Sequence, residues 1–232
     1  MEGAGLFRRI DAYCERTDIS LLAEPLNAIT NLAFIIAALM CWRRAVEMER
    51  TDWTVIFLTI NLFVIGVGST LFHTFAQVWA ALTDTIPIMI FILGYFAVAM
   101  NRFVGLTWLR VGGAMVVFLI ALFVTSFLLN WLLRPVIGGT VSYFPALLAI
   151  IAVGAWLHRA GHPAGLGLFA AAGFFIPSLT MRALDQPMCS TLPFGTHFGW
   201  HIFNALVLGT LIMTLIRHGR VPEGPSSTAQ PA

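Results

Sequence analysis

Seven long apolar runs dominate the chain, at about residues 24–42, 53–73, 79–100, 108–129, 140–157, 165–181 and 197–217. Each is close to the roughly 20 residues an α-helix needs to cross a bilayer. The pattern predicts an all-α, polytopic membrane protein built as a seven-transmembrane-helix bundle. The fifth and sixth runs are short, and Pro145, Pro177 and several glycines soften their ends. Ahead of the first run, Leu6, Phe7, Ile10 and Tyr13 recur at helical spacing with arginines between them. That spacing predicts a short helix lying at the membrane surface over residues 4–16. After Arg217 the chain reads HGRVPEGPSSTAQPA, polar and rich in Pro and Ser, the composition of a disordered tail. The expected organisation is therefore an amino-terminal outer segment over 1–23, a seven-transmembrane domain over 24–217 and a cytoplasmic tail over 218–232.

Composition agrees with this reading. Of 232 residues, 59% are hydrophobic and 10% charged, and mean hydropathy is +0.87. Soluble domains carry about 25% charged residues. A net charge of +2 gives no electrostatic footprint for nucleic acid. Acidic residues precede the first run, which lacks the basic region and cleavage site of a signal peptide and is expected to be retained. All thirteen basic residues are Arg, and they orient the bundle. Arg8, Arg9, Arg16, Arg134 and Arg182 fall on the side of the amino terminus. Arg43, Arg44, Arg50, Arg102, Arg110, Arg159, Arg217 and Arg220 fall on the other. The excess of positive charge places the carboxyl terminus in the cytoplasm and the amino terminus outside. A bacterial inner membrane is the expected location; no oligomeric state is specified.

Polar residues interrupt the apolar runs at a few points. A charged side chain at a helix centre costs roughly 2.5–3.5 kcal/mol on insertion scales, so such residues mark a site or a partner. Ser69 and His73 lie in GVGSTLFHTF, Asp84 in LTDTIP, and His197 and His201 in HFGWH. Alternating spans bring all five to the outer end of the bundle, together with Glu24 and Asn27. Ser69 and His73 are four apart, as are His197 and His201, so each pair shares a helix face. Two histidines at that spacing plus a third from a neighbouring helix suit zinc, and three protein ligands leave the fourth position open, the catalytic pattern. Asp84 would then act as general base and proton shuttle, and Ser69 as a donor to the oxyanion or to the bound water. The plainer alternatives are that Ser69 bonds back to its own helix and that Asp84 is an N-cap with Pro87 in the first turn. Spacing alone is not a site: His158 and His162 are also four apart, in the Gly/Pro loop HRAGHP. Cys14 and Cys189 both map to the outer side and Cys41 to the inner end of the first run. An oxidising exterior permits a Cys14–Cys189 disulfide, two unpaired thiols being the alternative. Arg182 and Asp185, just before Cys189, are placed to form an ion pair.

These motifs in combination, with DAYCERT and AEPLNAITNLAF near the start and RALDQPMC before the last run, resemble the alkaline ceramidase family of intramembrane metal hydrolases. The resemblance spans Asp11 to His201. It implies zinc ligands at His73, His197 and His201, a catalytic Asp84, an active-site Ser69 and a Cys14–Cys189 disulfide. It also implies the reaction: zinc-dependent amide hydrolysis of a ceramide-like membrane lipid, with zinc-bound water as nucleophile, to a fatty acid and a sphingoid base. Adiponectin receptors, with a similar zinc site in seven helices, support the architecture without fixing the substrate. Hydrolysis of another acyl lipid, or a seven-helix lipid receptor or transporter with structural zinc, is the alternative. Eukaryotic members hold calcium in the amino-terminal segment through acids, a Trp carbonyl and an Asn. Here Glu15 and Glu24 match two of the acids, Tyr13 stands for the Trp, Thr17 for the Asn, and Asp11 is offset by one. A calcium site would draw on Asp11, Glu15, Asp18 and Glu24, the plainer reading being a solvated acidic loop.

Overall fold

The computed structural model describes residues 5–220. Among the described residues, seven helices are long and apolar enough to cross a membrane, and the chain is an integral, multi-pass membrane protein. Numbered in chain order, span 1 is Pro25–Glu47, span 2 Trp53–Phe75, span 3 Val78–Arg102, span 4 Trp108–Arg134, span 5 Gly138–Arg159, span 6 Ala164–Met188 and span 7 His197–His218. The expected runs coincide with these to within a few residues. The largest difference is span 6, which continues through Pro177 and Pro187 to Met188. Asp185 is the buried residue of its last two turns, which stay helical despite Pro187. Span 5 opens with a 3-10 turn over Gly138–Tyr143.

Span 7 is the most enclosed span and packs along spans 6 and 1; span 4, joined laterally to spans 3 and 5, is the least enclosed. The enclosed faces carry Phe34, Leu58, Leu62, Ile65, Phe91 and Ile212, all fully buried. Span 4 turns Leu109, Phe123, Phe127 and Trp131 outward, the arrangement of a helix whose solvent is lipid. At the end of the bundle away from the histidines, Asp52 caps span 2 by accepting the Thr54 N–H at 3.1 Å. Arg102, from the end of span 3, pairs with Asp52 and donates to the Thr54 hydroxyl at 2.9 Å.

Spans 2 and 3 are joined by two residues, Ala76 and Gln77. So tight a connection makes them antiparallel neighbours, and they approach closely at Gly68, where a Cβ would run into the Thr83 carbonyl. Asp84 consequently sits in the second turn of span 3, whose N-cap is Gln77. It is not an N-cap, and Pro87 lies inside the helix rather than in its first turn.

The amino-terminal helix predicted over residues 4–16 is not formed among the described residues. A single 3-10 turn, Gly5–Phe7, is followed by irregular chain. The reason is competition for backbone groups. Ile10 N–H donates to Ala76 C=O at 2.8 Å and Val78 N–H to Arg8 C=O at 3.1 Å. The segment is thus tied to the turn between spans 2 and 3, an outlet that helical periodicity does not register. Of the tail expected over 218–232, residues 221–232 lie outside the described residues.

Candidate metal centre

His73 comes from the last turn of span 2, and His197 and His201 from the first two turns of span 7. Each is 1% exposed. Their ring centroids are 4.7 to 5.3 Å apart, and one nitrogen from each lies within 4.8 Å of the others. One buried nitrogen per ring lacks a hydrogen-bond partner: His73 Nε2, His197 Nδ1 and His201 Nε2. Unpaired buried polar atoms are costly, and three converging at one point form a ready donor set. This buried group could hold a metal ion. Three imidazoles suit zinc, copper, iron or nickel better than magnesium or calcium.

Two of the rings are oriented from behind by span 1 and its approach. His73 Nδ1 lies 2.6 Å from Glu24 Oε2, and His201 Nδ1 lies 3.0 Å from Thr30 Oγ1. The Thr30 hydroxyl already donates to the Leu26 carbonyl at 2.8 Å, so the His201 ring must be the donor. A carboxylate likewise accepts from His73. Both rings therefore carry their proton on Nδ1 and leave the Nε2 lone pair free, as in histidines whose other nitrogen is fixed by a partner so that the ring can ligate a metal. Burial by itself raises the Glu24 carboxyl, but the His73 ring and the Arg16 guanidinium outweigh it and hold it below the usual carboxylate range.

The third ring is placed differently. Tyr13 stacks on His197 with centroids 3.7 Å apart, and burial pushes its phenol up to about 12, against the lowering effect of Arg182. Arg182 donates to the Tyr13 hydroxyl at 3.2 Å and lies over the rings of Tyr143 and Trp200, at 5.3 and 5.1 Å. The expected Arg182–Asp185 ion pair is not formed among the described residues. Asp185, buried, instead accepts three backbone N–H groups, from Cys14 (3.1 Å), Thr196 (2.8 Å) and His197 (2.9 Å). Orphan N–H groups at the start of span 7 are the stronger claim on a carboxylate. Gly195, at φ +63°, makes room, since a Cβ there would meet the Asp185 carboxylate. The Cys14–Cys189 disulfide closes the same corner, and Cys41 is free and buried. Asp185→Ala is expected to lower stability by about 2–3 kcal/mol or more, from lost hydrogen bonds to a charged group. The thermal midpoint in detergent checks this, and an unchanged midpoint would deny Asp185 the role.

Ser69 is buried one turn before His73. Asp84 is half-buried and close enough to Ser69, His73 and Arg182 to feel each of them. These five residues come together as the alternation of spans requires. His158 and His162 do not join them: His158 packs on Phe169 and His162 Nδ1 accepts the Ala164 N–H. Nor do Asp11, Glu15, Asp18 and Glu24 assemble into a metal-holding group among the described residues. Sequence reasoning missed Thr30, the anchoring role of Asp185 and the stacking role of Tyr13. A usable signal existed for span 1, where Glu24, Asn27, Thr30 and Asn31 form a polar stripe at three- and four-residue spacing in apolar sequence.

A family model described as Ceramidase matches residues 11–228, most of the chain. No curated protein matches it.

Proposed function

Because the chain belongs to the ceramidase family, a family of lipid-amide hydrolases, we propose that it is an intramembrane, zinc-dependent amidase acting on ceramide-like lipids. The observation that carries this reading is the convergence of three buried, unpartnered imidazole nitrogens beside Asp84. His73, His197 and His201 would hold the ion. When bound, zinc supplies a Lewis acid that brings the pKa of a ligated water to about 7.

The chain's own groups divide the remaining work. Asp84 takes a proton from the attacking water as its oxygen adds to the amide carbonyl carbon, then delivers that proton to the nitrogen as the C–N bond breaks. Fatty acid and sphingoid base are the products. Ser69 donates a hydrogen bond to the oxygen that becomes negative in the transition state. Glu24 and Thr30 keep the Nδ1 protons of His73 and His201 in place, and Tyr13 holds the His197 ring by stacking. The Cys14–Cys189 disulfide lies at the same end as the site, which supports an outward-facing, oxidising location, with the carboxyl terminus in the cytoplasm of a bacterial inner membrane.

An apolar cavity among spans 3–7, lined by Phe91, Tyr95, Phe118, Tyr143, Ala146 and Phe175 among others, supports a lipid with long chains. Tyr143 also packs on Trp200, which connects the cavity to the turn carrying His197 and His201. Ala146→Phe would fill part of it. Turnover of long-chain substrates is expected to fall more than that of short-chain ones, with metal content unchanged. Equal loss across chain lengths would separate this cavity from the substrate.

Fatty-acid release from ceramide by the purified protein, measured with and without bound zinc, tests the function as a whole. Tight lipid binding without any product would instead favour a receptor or transporter.

A further inference from the structure

The segment leading into span 1 holds the acids of the expected calcium site, and each already has a partner or faces solvent. Both Glu15 oxygens accept backbone N–H groups, from Leu26 at 2.6 Å and Asn27 at 2.8 Å. Asp18 accepts the Ser20 N–H at 2.7 Å, and Asp11 is exposed. Glu24 Oε2 faces His73 Nδ1 and the Asn27 amide.

The oxygens that do converge meet a side chain of the protein. Arg16 donates from Nε to Glu24 Oε1 at 2.5 Å, from Nη1 to the carbonyls of Asp18 (3.4 Å) and Ser20 (3.3 Å), and from Nη2 to the His73 carbonyl at 3.0 Å. Arg16 is 8% exposed. Calcium requires six to eight oxygens at 2.3–2.6 Å, and here a divalent ion would meet a fixed positive charge already hydrogen-bonded to the available acceptors. The residues present do not fit calcium.

We propose that Arg16 is a built-in cation that performs the organising task of a metal ion in this segment, so that assembly of the site is independent of calcium. Its planar fork gathers two loop carbonyls, the carbonyl of His73 and the carboxylate that holds the His73 ring. Arg16 is thus a positioning residue: it acts on the three-histidine centre through Glu24 and through the backbone of His73. A guanidinium suits this better than an ammonium because its donors lie in fixed directions. The link to zinc affinity rests on the proposed metal centre, whereas independence from calcium does not.

The test uses the full chain in detergent, with two readouts. First, the thermal midpoint of the wild type is measured in calcium-depleted buffer and with about 1 mM calcium chloride, the range of weak extracellular sites. No shift is expected, and a clear rise with calcium overturns the proposal. Second, zinc dissociation constants are measured by competition for wild type, Arg16→Gln and Arg16→Lys. Loss of the support that Arg16 gives Glu24 and the His73 backbone is expected to weaken zinc binding about 10–100-fold in Arg16→Gln, with Arg16→Lys in between. A purely structural Arg16 would lower the midpoint but leave zinc affinity of the folded protein unchanged, and that result overturns the positioning role. Should the wild type bind no zinc, the proposed metal centre fails while the calcium titration still decides for or against the built-in cation.

Discussion

His201→Ala is expected to take the purified protein from about one zinc per chain to nearly none, three protein ligands being the usual minimum for a catalytic site. Two imidazoles would remain, His73 and His197, without the donor that completes the set. His201 is buried, meets the Thr30 hydroxyl and packs on Phe34, His73 and His197, so the thermal midpoint of the same sample separates loss of the ligand from unfolding. Fatty-acid release should vanish with the metal. His158→Ala is the control: it removes a histidine of the same spacing from the other end of the bundle, and both zinc and activity should stay at wild-type levels. Elemental analysis of the three proteins side by side gives the answer. Stoichiometric zinc in His201→Ala would remove this ligand from the site, and an active wild type free of zinc would remove the mechanism.

Asp84→Asn is expected to separate binding from chemistry. The amide is nearly isosteric with the carboxylate and preserves contacts with Ser69 and its surroundings, but it cannot accept the proton of the attacking water. General acid–base groups contribute about 10²–10⁴-fold, so turnover should fall by at least that much while zinc remains near wild-type stoichiometry. The comparison needs kcat and metal content on the same preparation. Full activity would exclude Asp84 from proton transfer. Loss of zinc together with activity would reassign it to the support of the metal site. Ser69→Ala should cost about 10²–10³ in kcat, the loss typical of one oxyanion donor, with zinc retained.

Much of the architecture was written in the chain locally. Spanning a bilayer is a matter of hydrophobic length at 1.5 Å per residue, and length can be counted without knowing any neighbour. The i, i+4 spacing of His197 and His201 likewise settles that they share a helix face. Alternation of seven spans then brings His73, Asp84 and span 7 to one end, because each crossing reverses direction. Tertiary structure decided what those local facts leave free. Which nitrogen each ring presents depends on Glu24 for His73, 49 residues away, and on Thr30 for His201, 171 residues away. Asp185 turned from an expected partner of Arg182 into the anchor of span 7, because three unpaired backbone N–H groups came within its reach. The amino-terminal segment gave up its helical periodicity when Arg8 and Ile10 found backbone partners beyond span 2. Arg16, read in the chain as one of the charges that orient the bundle, was buried at the centre of four acceptors. Periodicity reports the face a residue occupies along its own helix; the partner waiting on that face is set by packing between segments distant in sequence.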